Sequence, residues 1–150
     1  MFFNFMKGAS AAILASNVTF LFLLYLTSPG NNLDTLPPNA YPFVLVSTFF
    51  GYIGAGLGIW ILWLYQEEEI FSKDILAVFA AVGLLLGLCL ELLTVFAVIP
   101  FFILAAFIGA MTFLAVQKIK NRIVGWSIVG IHLVLLFLFP IIEELLTLIN

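Results

Sequence analysis

Ile75–Ile99 reads ILAVFAAVGLLLGLCLELLTVFAVI, twenty-five residues that hold one charged side chain, Glu91. About twenty apolar residues at 1.5 Å rise each cross a hydrocarbon core of ~30 Å, so this run is a membrane span and not a soluble core helix. An ionisable side chain inside such a span is rare and costs on the order of 3 kcal/mol on insertion scales. Glu91 is the one position at which the chain itself asks for an explanation.

The rest of the chain matches that span. Of 150 residues, 65% are hydrophobic and 9% charged, with a mean hydropathy of +1.27. Soluble domains run near 45–50% apolar and about 25% charged. The sequence therefore predicts a single all-α transmembrane domain over residues 1–150, with no room for a soluble one. Five helices are expected, over about 8–28, 42–65, 75–97, 101–117 and 123–146. The N-terminus, MFFNFMK, has one positive charge before an apolar run and is read as the start of an uncleaved first helix, since it lacks a small-x-small cleavage pattern.

Charge placement sets the orientation. With five crossings, the N-terminus and the second and fourth connections share one side, which receives Lys7, Lys73, Lys118, Lys120 and Arg122, all five cations of the chain. The long connection Pro29–Tyr41 has none. The positive-inside rule then puts the N-terminus inside and the C-terminus outside. Trp60, Trp63, Tyr65 and Trp126 fall at the inner boundary and Tyr25 and Tyr41 at the outer one, where amphipathic rings are favoured.

Three faces of small residues recur. Ser47, Gly51, Gly54, Ala55 and Gly58 share a face of the second helix, Gly83 and Gly87 share one with Glu91 on the third, and Ala105, Ala106, Gly109 and Ala110 form a stripe on the fourth. In lipid such faces let helix backbones approach closely, and internal packing is the expected use. Glu91, on a packing face, should point into the bundle or into a partner, nearer the outer interface than the centre.

Asn17 and His132 each lie about 14 Å into their helices by the same rise, which permits an interhelical hydrogen bond between them. His132 differs from Glu91 by about 10 Å in depth, which disfavours a direct pair. The single cysteine, Cys89, excludes an internal disulfide. No phosphate loop, nucleophile–base set or metal-ligand cluster is legible, so no cofactor and no metal are expected, and enzyme activity has no residue-level support. There is no basic patch for nucleic acid.

Phe139–Leu146, FPIIEELL, is similar over eight residues to the Pro-x-x-Glu-Glu segment of the CAAX-protease-like intramembrane metalloproteases. That family also places an arginine shortly after its paired glutamates and histidines on later helices. Here Leu145, Leu146, Thr147 and Leu148 follow Glu143 and Glu144, so the metal-binding pieces are missing and the family is set aside.

Two functions remain. The first is a non-catalytic accessory or scaffold subunit that packs with other membrane subunits or with itself. The alternative is a small proton- or cation-linked carrier with Glu91 as the responsive carboxyl and Asn17 and His132 along its path. The lipid bilayer is the one partner the composition demands, and a bacterial or archaeal plasma membrane is the expected setting.

Overall fold

Five helices form in the predicted order in a computed structural model of the protein: α1 Phe2–Thr27, α2 Ala40–Leu64, α3 Lys73–Leu93, α4 Phe101–Val116 and α5 Arg122–Ile149. The structure describes residues 2–27, 40–65, 71–93 and 101–149. Most of the connection Pro29–Tyr41, residues 66–70 of the acidic turn, Thr94 and the turn at Phe96–Pro100 lie outside them. Four helices are long and apolar enough to cross a membrane, and α4, with 16 residues, is the short one at about 24 Å. The protein is a multi-pass, membrane-embedded helical bundle.

The helices alternate in direction. Gly51 of α2 faces Ile13 of α1, and Ser47 bonds Asn17, so α1 and α2 are antiparallel. Gly83 faces Ala110 and Gly87 faces Ile103, so α3 and α4 are antiparallel as well. Ser10 meets His132 and Phe3 meets Trp126, which makes α5 parallel to α1. α4 is the central helix, packed between α1 and α3.

This alternation brings the cations to one end. Lys7 of α1 donates to the Ile119 carbonyl at 2.8 Å, and Lys118 Nζ sits 3.8 Å from the centroid of the Phe71 ring, two residues before α3 begins. Trp60, Trp63 and Trp126, all more than half exposed, ring the same end. Cysteines placed at Asn32 and Lys120 in a Cys89→Ser background are expected to label with an impermeant maleimide from opposite faces of the membrane. Labelling from one face would remove a crossing.

Two boundaries among the described residues differ from the sequence expectation by three residues or more. α1 starts at Phe2 and not Gly8, because Phe3 packs on Trp126 and Phe5 on Tyr52 at centroid distances of 5.5 and 6.2 Å, which extends the helix through an uninterrupted apolar lead. Lys7, expected as a free flanking charge, is consequently inside the helix and 1% exposed. α5 runs three residues past Leu146 with Pro140 inside it, a placement lipid-embedded helices tolerate where neighbours or local adjustments satisfy the freed carbonyl.

The six glycines singled out by spacing all lie at helix contacts. A Cβ on Gly51 would meet Ile13, on Gly54 Leu86, on Gly58 Phe113, and on Gly109 the Ser16 hydroxyl. On Gly83 and Gly87 it would meet the backbone of α4 itself. The small faces are thus used within the chain, joining α2 to α1, α3 and α4, and α4 to α1 and α3.

Candidate functional site

Three of the helix starts show how the chain solves a common problem. The first four N–H groups of a helix have no partner within it. Ser72 Oγ accepts the Ile75 N–H at 3.3 Å at the start of α3, and Asn121 Oδ1 accepts the Ile123 N–H at 2.9 Å at the start of α5. Both are local side-chain caps of the favoured kinds. α4 has no such residue available, since Val95–Ala106 (VFAVIPFFILAA) contains no polar side chain.

Glu91 supplies the missing acceptor from α3. Its Oε1 accepts the Phe102 N–H at 3.0 Å, and the residue is 0% exposed. Phe102 stacks on Phe20 at 4.7 Å between centroids. Phe20 lies seven residues before the end of α1, so α4 begins about 10 Å inside the outer end of that helix. At that depth water is scarce, and an unsatisfied backbone group costs several kcal/mol. A carboxylate is also electrostatically favoured at a helix N-terminus, where the macrodipole is positive.

The other end of α4 is held by a lysine. Successive i→i+3 bonds from Gln117, Lys118 and Ile119 to Leu114, Ala115 and Val116 carry the chain past α4 as a tightened turn. The Ile119 carbonyl ending that turn accepts from Lys7 Nζ. A cation is favoured at a helix C-terminus for the same reason that an anion is favoured at the start. The Lys7 stem lies against Gly125 of α5, and Phe3 sits 5.4 Å from its ammonium, so the charge is covered by apolar and aromatic surface. α4 is therefore clamped by Glu91 from α3 and Lys7 from α1.

The remaining polar candidates are separate from this clamp and from each other. Asn17 Oδ1 accepts from the Ser47 hydroxyl, joining α1 to α2. His132, 2% exposed, has Nδ1 3.2 Å from Ser10 Oγ, joining α5 to α1. Equal depth permitted an Asn17–His132 bond, but His132 meets Ser10, seven residues and about 10 Å along α1 from Asn17, which bonds Ser47 of α2 instead. Ser16 adds one more link by donating to the Ala105 carbonyl at 2.9 Å. Lys7 and Ser16 are the residues sequence reasoning missed. Neither left a signal: the partner of Ser16 is a backbone carbonyl of α4, and a flanking lysine looks alike buried or free.

Glu91, Asn17 and His132 thus occupy three different interfaces. Each ties two helices together through hydrogen bonds worth ~0.6 kcal/mol on average in membrane proteins. His132→Leu is accordingly expected to shift unfolding in detergent by less than about 1 kcal/mol. A larger loss, or a changed absorption spectrum of the purified protein, would show that the imidazole does more than meet Ser10. No family model, characterised relative or solved structure matches the chain.

Proposed function

We propose that the protein is a non-catalytic accessory subunit of a larger membrane assembly. The observation that carries this reading is that Glu91, Lys7, Asn17, Ser16 and His132 are all engaged in interhelical hydrogen bonds, so the polar chemistry of the chain holds helices in place. A carrier needs polar groups lining a path. A cavity inside this bundle is lined by apolar side chains together with Ser16 and Ser47, whose hydroxyls are bonded within the protein. That lining favours the scaffold over the carrier.

The surface available for assembly is the outer half of α5. Past His132 no described side chain of α5 is buried, and Val134, Phe137, Ile141 and Leu145, spaced as i, i+3, i+7 and i+11, are all more than half exposed on one face of the helix. The small faces of α2, α3 and α4 are already used inside the bundle, so contact with another subunit falls to this larger-residue surface.

The test is purification of the chain from its native membrane in a mild detergent, with a photo-crosslinking residue at Phe137 and a control at Phe49 of α2. A complex larger than the monomer, with crosslinks from Phe137 and none from Phe49, is the expected result. A monomer without crosslinks from α5 would overturn the reading. Proton- or cation-dependent flux in vesicles, lost in Glu91→Gln, would replace it with the carrier.

A further inference from the structure

The hydrophobic core of this bundle is divided. One cluster near the basic end contains Ala9, Ala55, Ile75, Phe79, Phe113 and Leu114, and a second near the outer end contains Phe20, Leu90, Phe102 and Ala105. Between them lies a cavity of about 70 Å³, lined from both clusters. It is lined toward the outer end by the stacked Phe20–Phe102 pair and toward the basic end by the stacked Phe79–Phe113 pair, at centroid distances of 4.7 and 5.8 Å. α1 and α4 form its back wall through Ala12, Ala105 and Gly109.

The fourth side is thin. There α2 presents Phe50 and Gly54 and α3 presents Val82 and Leu86, all half-buried cavity residues. A Cβ on Gly54 would meet a single atom of α3, the Leu86 Cδ1 at 3.0 Å, which is the free end of a flexible side chain. Just beside this seam, Ile53 and Leu57 of α2 and Leu85 of α3 are exposed. Among the described residues the seam therefore faces sideways onto the lipid-facing surface.

Depth and size narrow the occupant. Val82 and Leu86 lie nine and thirteen residues after Lys73, about 14 and 20 Å along α3, which is the middle of a ~30 Å hydrocarbon core. The ends of lipid acyl chains meet at that level. A dry apolar cavity of ~150 Å³ accepts a benzene ring, so one of about 70 Å³ takes the end of a chain and no headgroup or ring system. An empty gap forfeits the dispersion contacts of every wall, and a hydrocarbon end restores them. We infer that the cavity is a lateral binding site for the terminal segment of a phospholipid acyl chain, which enters between α2 and α3 past Leu86.

The test uses the full chain reconstituted in phosphatidylcholine vesicles with a trace of phosphatidylcholine carrying a diazirine beside the terminal methyl of one chain. Irradiation and peptide mass spectrometry should find adducts on Phe79 or Phe113, each 2% exposed, besides those on exposed Leu85. The same lipid with its diazirine beside the carbonyl should leave Phe79 and Phe113 unmodified. Val82→Phe, which narrows the mouth, should reduce the interior adducts several-fold without changing those on Leu85. Because the two probes are compared on the unaltered protein, the test stands even if that variant fails to fold. Tail-probe adducts confined to exposed residues, or interior adducts formed equally by both probes, would overturn the site. Interior labelling by a diazirine isoprenol but not by the phospholipid would overturn the choice of ligand.

Discussion

Glu91→Leu is expected to destabilise the bundle by about 1–3 kcal/mol, the cost of leaving a buried hydrogen-bonding group without its partner. The Phe102 N–H that Glu91 accepts lies inside the bundle, and the apolar run Val95–Ala106 offers no side chain to replace it. Glu91→Gln keeps an acceptor oxygen of nearly the same reach and should cost distinctly less. Equilibrium unfolding in mixed micelles, followed by circular dichroism, orders the three proteins. If Leu and Gln are equally tolerated, the carboxyl does not cap α4. Amide hydrogen exchange supplies the local check: the first turn of α4 should lose protection in Glu91→Leu while α5, capped by Asn121, keeps it.

Much of this architecture can be read in the sequence, for physical reasons that also mark where reading stops. Five apolar runs are legible because lipid satisfies a spanning backbone only in helices or closed barrels, and hydropathy counts residues without needing to know their neighbours. The glycine faces are legible because close approach of backbones requires absent side chains, and Gly83 and Gly87 indeed face α4 backbone. Which helices pair is a different matter. α4 lies against α1, some eighty residues away in the chain, through Ser16–Ala105 and Phe20–Phe102, and no periodicity records such a choice. The role of Glu91 was half-legible. Its face and burial follow from Gly83 and Gly87, but its partner is a backbone N–H, which leaves no mark in a sequence. The readable clue was negative: a helix start at Phe101 with no polar residue nearby to cap it. Lys7 counted correctly in the charge bias and still has a second role, since burial of its long stem changes nothing in that count.

Among the glycines, Gly87→Ala is expected to have the largest effect of any single methyl. Its Cβ would meet the Ile103 backbone, with the Phe102 carbonyl oxygen at 2.9 Å, and neither atom can turn aside as a side chain can. α3 and α4 must separate, and overpacking of this kind costs about 1–3 kcal/mol, occasionally more. Against that stands the better helix propensity of alanine, at most about 1 kcal/mol, so the net sign is destabilising. Gly54→Ala meets only the mobile end of Leu86 and should be close to neutral, and Gly130→Ala, with nothing within 4 Å, should be neutral or slightly stabilising. The position of Gly87 adds a sharper consequence. It lies one turn before Glu91 on the same face and touches the residue that Glu91 caps, so separating the helices at Gly87 also lengthens the bond to Phe102. Gly87→Ala and Glu91→Leu should then be non-additive, the double variant costing less than the sum by at least about 0.5 kcal/mol, whereas Gly54→Ala and Glu91→Leu should add. A double-mutant cycle by unfolding in micelles measures this directly. Strict additivity of the Gly87 and Glu91 changes would mean that the close approach of α3 to α4 and the capping of α4 are independent, and that Glu91 is held in place by something other than this face.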